Sequence, residues 1–391
     1  MATVPRAPRM SPLHISIDAH WLVCHPNSGI STYLRGLLNG WLQTGETLHA
    51  DLIVPFLPPA GREPLFDHPS FRLVHPAAAL NPIANLRSQL YWQQIALPRL
   101  VRQHPPDVYL SPFHLTPLWL PGIKVVSTIH DLCFLGEPRL SRGRLLHSAQ
   151  VLTAGLKAAR LICISQATQR ALAAWSPRLA RKSTVVHNGF EGHPIAPAAA
   201  RALLHQLDPA LVPQEYLLWV GIPCARKNLP LLFQAFQSHR QKYPAHQCVI
   251  ITPPPFQAEM RRLTETAGLA SSVKIYSVDD ATRDALYRCA LAFIFPSTCE
   301  GFGYPALEAI VQGCPTFVLP RTSMQELLGA DAFFTIKPDG QDLSEKISTL
   351  LQSSPAERET LANRLIQRAR EFSSAAMARQ TLAVLRQAAE S

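Results

Sequence analysis

The stretch STCEGFGYPALEAIVQGCP, residues 297–315, places two glutamates on either side of a glycine-rich turn. Glu300 comes before the turn at residues 301–303, and Glu308 follows it. The apolar run LAFIFP (291–296) precedes the stretch, and a short helical pattern follows the turn. The pattern predicts a strand, a turn and a helix, with two carboxylates beside a backbone that a ligand can approach closely.

The same alternation of short β-branched runs and helical patterns extends over almost the whole chain. Such alternation is typical of parallel sheets covered by helices on both faces, so the predicted fold class is α/β. The clearest helix is residues 29–43, which carry one apolar stripe. The predicted strands are residues 14–19, 48–55, 71–76, 107–112, 124–130, 161–165, 183–188, 216–221, 247–253, 273–277, 291–296, 315–320 and 332–336.

A Pro- and Ala-rich segment interrupts this alternation and divides the chain into two Rossmann-like domains in tandem, with a ligand cleft expected between them. We predict an N-terminal domain over 1–195, a linker with one helix over 196–215 and a C-terminal domain over 216–372. The final helix, 373–391, is expected to pack back on the N-terminal domain.

Composition narrows the class of protein. The chain has 391 residues, 47% of them hydrophobic and only 16% charged, which indicates globular domains with large cores. The net charge of +10 favours anionic partners, but no Lys/Arg block stands out, so nucleic acid is not expected. The eight cysteines form no CxxC pair and lie largely in apolar runs, so we predict buried free thiols in a reducing compartment.

The sequence also predicts a cytoplasmic protein, because residues 1–19 show no apolar core of a signal peptide. No uncharged apolar stretch reaches about 18 residues, so no membrane span is expected. Residues 84–103 mix Arg with Leu, Tyr and Trp, which suits either a peripheral contact at the inner face of the membrane or a buried core helix. We favour the core helix.

Arg226 and Lys227 follow the predicted strand YLLWVG, just before a helix that Asn228 and Pro230 are expected to begin. Two cations at the positive end of a helix dipole are unfavourable unless an anion binds there. A bound diphosphate would make the electrostatic energy of this arrangement favourable, by about 4 kcal/mol per charge pair at 4 Å and an effective dielectric of 20. Two solvated surface cations are an equally good interpretation of this stretch alone.

The two glutamates have a functional and a simpler interpretation. Pro305 is expected at the first position of a helix that ends at Gly313, so Glu308 would lie in its first turn and merely balance the helix dipole. Alternatively, a carboxylate accepts hydrogen bonds from vicinal hydroxyls, so Glu308 and Glu300 would each bind one polyol. Free amides near Gly303 would then bind an anion between them.

The stretch GFGYPA also matches the dinucleotide-binding pattern G-x-G-x-x-[GA], with Glu326 about 20 residues further on. The true pattern leaves its strand directly, whereas STCE intervenes here. We therefore consider a dehydrogenase improbable.

In the N-terminal domain, polar residues follow three predicted strands. Gly29 with Ser28 and Ser31 forms either a phosphate or hydroxyl cradle or an ordinary helix cap, and the cap is favoured. His130, before Asp131, ends a strand at the edge where ligands bind, although a lone histidine is more often structural. His114 follows another strand and is expected on the acceptor side.

Taken together and in order, these stretches resemble the retaining, nucleotide-sugar-dependent glycosyltransferases of the GT-B fold, family 4. The most specific match is Glu300-x7-Glu308 with its GFGxPxLEA core, and the next is RKN behind VG. The other matching stretches are SGISTYL, VVSTIHDL, LICISQATQRAL, VVHNGF and SMQELLG, so the resemblance spans nearly the whole chain.

The resemblance implies a role for individual residues. Arg226 and Lys227 would bind the donor diphosphate, and Glu308 would bind the nucleoside ribose. Glu300 would hold the transferred sugar, with His130 near the reacting carbon, and these two would be catalytic together with Arg226 and Lys227. Further implied contacts are Gly29, Gly303 and Tyr304 at the diphosphate, Phe302 and Gly303 at the sugar, and Ile30, Ser31, His114 and Asp131 on the acceptor side.

The chain departs from the family pattern at the phosphate-binding loop. Ile222 stands where some relatives carry an Arg directly after the VG glycine, and Arg226 is expected to replace its charge. Cys224 and Ala225 stand where a Glu-Pro pair is usual, and the strand VKIYSV lacks the common glycine.

The expected function is transfer of a hexose to a glycan or lipid-linked acceptor in surface polysaccharide or glycolipid assembly, with mannose from GDP-mannose as the favoured donor. No D-x-D motif follows a strand, so no metal or other cofactor is expected. The alternatives are a hydrolysing nucleotide-sugar 2-epimerase, which lacks the Glu-x7-Glu arrangement, and an inactive nucleotide-sugar-binding partner protein.

Overall fold

A computed structural model describes residues 12–46, 48–59, 61, 63–78, 80, 85–320, 323–329, 333–334 and 339–391. The chain divides into two compact units. The first comprises Met1–Ile164, Thr168–Gly189 and Ser374–Ser391, and the second comprises Ser165–Ala167 and Phe190–Ser373.

Each unit is built on one parallel sheet. The first sheet has seven strands in the order β3-β2-β1-β4-β5-β6-β7, and the second has six in the order β10-β9-β8-β11-β12-β13. The strands of the first are β1 (His14–Asp18), β2 (His49–Ile53), β3 (Phe71–Val74), β4 (Val108–Ser111), β5 (Lys124–Ile129), β6 (Arg160–Cys163) and β7 (Ser183–Val185). Those of the second are β8 (Tyr216–Val220), β9 (Gln247–Ile251), β10 (Val273–Tyr276), β11 (Ala292–Phe295), β12 (Thr316–Val318) and β13 (Phe333–Phe334).

Helices connect most of the strands, in keeping with the right-handed crossovers that join parallel strands. Strands β4 and β5 follow each other with no helix between them. The helices are α1 (His20–Cys24), α2 (Gly29–Thr44), α3 (Leu86–Tyr91), α4 (Leu97–Gln103), α5 (Arg142–Lys157), α6 (Gln166–Trp175), α7 (Pro177–Ala180), α8 (Pro197–Leu207), α9 (Leu229–Lys242), α10 (Pro254–Thr266), α11 (Asp280–Cys289), α12 (Tyr304–Val311), α13 (Met324–Leu328), α14 (Gly340–Gln352), α15 (Pro355–Arg370) and α16 (Ser374–Ala389). A π-helical turn, Trp92–Ala96, joins α3 to α4, and 3₁₀ turns occur at Pro64–Asp67, Cys133–Gly136 and Ala225–Lys227.

The predicted α/β class is confirmed, and every predicted strand has its counterpart. Of the last predicted strand, 332–336, only residues 333–334 are described. The helix predicted over 29–43 is α2. The helical run predicted over 84–103 is amphipathic, because Trp92 and Leu97 are buried whereas Tyr91 and Ile95 are exposed; residue 84 lies outside the described residues.

The cysteines differ in part from the prediction. Six of them are free thiols, of which Cys163, Cys248, Cys289 and Cys314 are buried. Cys133 and Cys299 are not among the free cysteines, so the prediction of eight buried free thiols is too broad.

In each sheet the chain reverses its direction of winding at one position. This topological switch point lies between β1 and β4 in the first sheet and between β8 and β11 in the second. Ligands of open parallel sheets bind beyond the carboxyl ends of the strands at such a point, because the loops diverge there to opposite faces of the sheet. The loops after β8 and β11 hold the residues singled out in the C-terminal half.

Helix α16 completes the first unit by packing on α2. Trp41 of α2 is buried and donates its indole N–H to the carbonyl of Ala378 at 3.1 Å. The two backbones approach closely at Gly40, where a Cβ would lie 2.1 Å from the carbonyl oxygen of Ser374. Only glycine fits at this crossing.

We expect Gly40→Ala to lower the free energy of unfolding by about 1–3 kcal/mol, because the added methyl group displaces α16 from α2. Gly29→Ala is the matched control, since a Cβ at Gly29 meets no atom within 4 Å. Chemical unfolding of both variants checks this. Equal stabilities would contradict the close packing.

Stability should also depend on the protonation of a buried histidine. Burial, with His246 and Lys242 nearby, lowers the pKa of His239 to about 4, whereas an unfolded histidine titrates near 6.5. Unfolding between these pH values takes up a proton. The free energy of unfolding should therefore fall as the pH decreases from 6.5 towards 4, by up to about 1.4 kcal/mol per pH unit.

His239→Gln should flatten this fall, although it lowers stability at neutral pH by disturbing the contact between His239 Nε2 and His246 Nδ1 at 3.0 Å. Denaturant unfolding at pH 7 and pH 5 measures the difference. His205→Gln, on the exposed face of α8, is the control and should keep the wild-type slope. An unchanged slope in His239→Gln would show that His239 does not titrate in this way.

Candidate active site

The carboxylate of Glu300 joins the two cations that follow β8. Its Oε1 accepts hydrogen bonds from Arg226 Nη1 at 2.8 Å and from Lys227 Nζ at 2.7 Å. The cations come from the loop after β8 and Glu300 from the loop after β11, so the cluster lies at the switch point of the second sheet. The structure thus brings three of the four predicted catalytic residues together.

Lys227 is the most buried member of this cluster. Its side chain is 7% exposed, and its Nζ lies 4.4 Å from the centre of the Phe295 ring. Burial lowers the pKa of Lys227, while the charge and hydrogen bond of Glu300 act in the opposite direction. Glu300 therefore serves as the counter-ion of a cation that has lost most of its water.

Arg226 is more accessible, with 40% of its side chain exposed. Its Nη1 also lies 3.3 Å from the carbonyl of Cys299, and its own carbonyl accepts the amide of Thr298 at 2.8 Å. The loops after β8 and β11 are therefore tied together by backbone as well as side chains. Ile222, which stands in place of an expected Arg, is exposed and adds no charge.

Asn228 begins α9 differently from the prediction. It occupies the N-cap position, but its backbone is left-handed (φ 51°, ψ 47°) and its side chain makes no capping hydrogen bond. Pro230 lies in the first turn as predicted. The left-handed residue reverses the chain so that Arg226 and Lys227 meet Glu300 instead of continuing the helix.

Gly303 shapes the turn between the two glutamates. Its φ of 100° lies in a region that other residues seldom adopt, and a Cβ here would lie 2.1 Å from Cε of Met324. The hydroxyl of Ser323 donates to the carbonyls of Glu300 and Phe302 at 3.0 and 3.2 Å, and these hydrogen bonds stabilise the turn. Phe302 is buried, with its ring edge-on to that of Tyr304.

Helix α12 begins one residue earlier than predicted. Tyr304 is its first residue, Pro305 its second, and it ends at Val311 instead of Gly313. Glu308 consequently lies beyond the first turn of α12, and that first turn contains no acidic residue. The simple interpretation of Glu308, compensation of the helix dipole, is wrong because that effect fades within one turn.

Glu308 is instead held by two side chains of the neighbouring helix α11. Its Oε2 accepts a hydrogen bond from the Tyr287 hydroxyl at 3.2 Å and lies 3.4 Å from Nε of Arg283. Burial raises the pKa of Glu308, and the Arg283 charge and the Tyr287 hydrogen bond oppose that rise. Glu308 and Glu300 thus have separate partners, and sequence analysis missed both Arg283 and Tyr287, whose only signal was an i, i+4 spacing on a predicted helix.

In the first unit, Ser28 is an ordinary N-cap of α2, accepting the amide of Ser31 at 3.2 Å. Ser31 is fully buried, and its hydroxyl lies 2.7 Å from the carbonyl of His25 and 3.0 Å from that of Trp21. Gly29 is exposed with open space beside it, and Ile30 is partly buried. Of these residues, Gly29 and Ile30 remain accessible to a ligand, whereas Ser31 supports the loop.

His130 follows β5 and points one ring nitrogen at backbone. Its Nε2 donates to the carbonyl of Pro112 at 2.6 Å, which assigns the proton to Nε2 and leaves Nδ1 as an acceptor. The Tyr33 ring meets it edge-on at 5.0 Å. Burial lowers the pKa of His130, so the ring is neutral. Asp131 accepts the amide of Cys133 at 2.9 Å and shapes the following turn.

His114, which follows β4, is buried, and burial lowers its pKa to about 3. Its ring lies against that of Phe113, with the ring centres 3.8 Å apart and the planes tilted by 35°. Neither ring nitrogen makes a hydrogen bond to any described residue. His114 is therefore a neutral, enclosed side chain in this structure.

A buried polar network at the end of β1 escaped the sequence analysis. Asp18 accepts hydrogen bonds from His20 Nδ1 at 2.7 Å, Trp92 Nε1 at 3.1 Å and Gln93 Nε2 at 2.5 Å. It lies at the switch point of the first sheet, where a buried carboxylate needs such donors. The sequence shows only an Asp at the end of a strand, because the donors at residues 92–93 are distant in sequence and come close to it only in the folded chain.

Two further features are absent from the described part of the chain. No three His, Cys, Asp or Glu side chains lie together in a way that suits a metal ion. Among the helices that the structure describes, none has the length and apolar character needed to cross a bilayer.

Two family models match the chain. The model of glycosyl transferases group 1 matches residues 210–372, and the model of glycosyltransferase family 4 matches residues 27–193. Together they account for most of both units. The chain belongs to the glycosyltransferases of the GT-B fold, the class that the paired parallel sheets and the polar residues at their switch points also indicate.

Curated relatives include two mannosyltransferases of Escherichia coli. The serotype-specific mannosyltransferase WbdA is 28% identical over 63% of this chain, and the chain spans 31% of that relative's length. The O-antigen chain mannosyltransferase B is 26% identical over 80% of this chain and 77% of its own.

Among solved structures, HepE of Anabaena in complex with UDP and glucose has a TM-score of 0.72. The match covers 96% of this chain and all of the other at 19% identity, which establishes the shared fold.

The cation cluster makes a prediction about anions. Because Glu300 neutralises part of the charge of Arg226 and Lys227, Glu300→Gln should bind inorganic pyrophosphate about tenfold more tightly than the wild type, whereas Lys227→Met should bind it more weakly. Calorimetric titration at fixed salt measures both. Glu345→Gln, at an exposed position of α14, is the control. Weaker binding by Glu300→Gln would contradict the arrangement.

Proposed function

We propose that the protein transfers mannose from GDP-mannose to an acceptor hydroxyl with retention of the anomeric configuration. The observation that carries the proposal is the cluster of Arg226, Lys227 and Glu300 at the switch point of the second sheet, with Glu308 following in the next helix. Two cations suit a diphosphate, and two carboxylates suit a sugar and a ribose.

In this proposal the main catalytic contribution is electrostatic. Arg226 and Lys227 bind the diphosphate and stabilise the negative charge that develops as the sugar leaves. The buried position of Lys227 strengthens this effect, because water screens its charge only weakly. A departing phosphate oxygen takes the proton of the acceptor hydroxyl, so the mechanism needs no protein base and uses the two side chains in place of a metal.

The other residues have positioning roles. Glu300 exchanges its hydrogen bonds to Arg226 and Lys227 for the hydroxyls of the transferred sugar when the diphosphate arrives. Glu308 accepts the ribose hydroxyls. His130, neutral and fixed by Pro112, offers Nδ1 as an acceptor to the sugar. Gly29 and Ile30 approach the phosphates and acceptor.

The choice of mannose is supported by the relatives, both of which are named mannosyltransferases. By analogy we assign the protein to surface polysaccharide or glycolipid assembly at the inner face of the membrane. A thermal-shift panel of nucleotide sugars tests the donor, since the correct one stabilises the fold by mass action.

A lipid-linked acceptor is supported by the charge and surface of the first unit. Its sequence holds 20 Lys and Arg against 9 Asp and Glu, a net charge of +11, whereas the second unit has −1. Helix α5 has no acidic residue and exposes Leu145, Leu152 and Leu156 between basic residues. Such a face suits an anionic membrane surface, where α5 would join the exposed side of α3 and the π-helical turn.

Glu300→Gln and Lys227→Ala should each reduce transfer by about 10²–10³-fold, because each removes an interaction with charge that the reaction develops or with the reacting sugar. Release of nucleoside diphosphate in the presence of a mannosyl acceptor measures this. The matched controls are Glu345→Gln and Lys346→Ala on α14. Wild-type turnover in both site variants would refute the proposed roles, and stabilisation by no nucleotide sugar would refute the function.

A further inference from the structure

The carboxylate of Glu308 is held from one side only. The Tyr287 hydroxyl and the Arg283 guanidinium both approach Oε2, at 3.2 and 3.4 Å. Its other oxygen, Oε1, makes no hydrogen bond within the part of the chain that the structure describes. One oxygen is therefore anchored, and the other is available to a ligand.

The two side chains that hold Oε2 of Glu308 are rigidly placed because both belong to one helix. Arg283 and Tyr287 are separated by four residues on α11 and so project from the same face of the helix towards α12. Tyr287 is fully buried. Burial and the neighbouring Glu308 charge raise its pKa well above the ordinary value, so its hydroxyl stays a donor at any usable pH.

Arg283 has a second attachment that fixes its direction. Its Nη1 donates to Asp280 at 2.8 Å, one turn earlier on α11, while Nε faces Glu308 without a hydrogen bond. The guanidinium therefore acts on Glu308 mainly through its charge. It opposes the desolvation of the carboxylate, whose side chain is only 12% exposed.

We propose that Tyr287 and Arg283 are positioning residues that set the preference of the enzyme for a ribonucleotide donor over a deoxyribonucleotide. Tyr287 fixes the orientation of the Glu308 carboxylate towards the vicinal ribose hydroxyls, and Arg283 keeps it ionised so that it accepts their hydrogen bonds. This inference rests on the proposed function, in which Glu308 binds the ribose.

The test compares GDP with 2′,3′-dideoxy-GDP, which lacks both hydroxyls. The wild type should bind GDP about 10- to 100-fold more tightly, the range expected for hydrogen bonds to a charged acceptor. Tyr287→Phe should reduce this ratio about tenfold by weakening GDP binding, with little change for the dideoxy nucleotide. Calorimetry with each nucleotide gives the ratio.

The control for Tyr287→Phe is Tyr216→Phe. Tyr216 is almost equally buried in the same unit, and its hydroxyl donates to the backbone carbonyl of Leu286 at 2.6 Å instead of to Glu308. Both variants should lose stability, but only Tyr287→Phe should change the ratio. Loss of stability alone in both variants would assign Tyr287 a purely structural role and overturn the proposal.

Arg283→Met provides a second, independent readout. Removing the guanidinium raises the pKa of Glu308 further, so the carboxylate becomes protonated at a higher pH than in the wild type. As the pH is lowered, the preference for GDP should therefore begin to decline at a higher pH in Arg283→Met than in the wild type. Arg288→Met is the matched control, because Arg288 donates to the carbonyl of Gln312 instead of to Glu308.

The possible failures can be told apart. If the wild type binds GDP and the dideoxy nucleotide equally, Glu308 is not at the ribose and the inference is wrong. If the wild type discriminates and both Tyr287→Phe and Arg283→Met keep the wild-type ratio at every pH, the helix α11 residues have no positioning role, although the proposed function stands. If the wild type binds neither GDP nor UDP, the proposed function itself fails.

Discussion

One oxygen atom, Oε1 of Glu300, accepts hydrogen bonds from two cations, and the organisation of the second unit's site depends on it. Lys227 is buried beside Phe295, where the loss of water makes its charge unfavourable unless an anion lies nearby. Glu300 supplies that anion from a different loop, so the pair joins the segments that follow β8 and β11. Arg226 is more exposed than Lys227 and contacts the same oxygen of Glu300, so the three side chains form a triad.

The parallel sheets make this meeting possible. Strands β8 and β11 are neighbours in the sheet although about 70 residues of chain separate them, and their carboxyl ends lie at the same edge. The loops that follow therefore converge, and side chains far apart in sequence reach hydrogen-bonding distance. The first unit repeats the principle at β1 and β4, where Asp18 accepts hydrogen bonds from the adjacent His20 and from Trp92 and Gln93 of a distant segment.

Much of this follows from sequence because the strands are apolar, short and bounded by polar turns, and all thirteen were predictable. Charged residues that closely follow buried strands are candidates for ligand binding, because ligands bind at the carboxyl ends of parallel strands. This made it possible to predict Glu300, Arg226 and Lys227. The partners of Glu308 did not stand out, since Arg283 and Tyr287 belong to a surface-like helix whose packing against α12 is a tertiary event. The bounds of α12 also differ from the prediction, because the left-handed Gly303 is its N-cap, whereas Asn228 is the N-cap of α9 as predicted but with an unexpected left-handed backbone.

The triad has a consequence for how the site responds to salt. Glu300 acts as a built-in counter-ion, so an arriving anion displaces a tethered carboxylate more than it displaces ions from solution. Because one bound negative group replaces another, the ion atmosphere around the two cations changes little. The affinity of this unit for an anion should therefore vary less with ionic strength than the affinity of two cations without a counter-ion. The tethered group also remains beside the vacated place, ready to return once the anion departs.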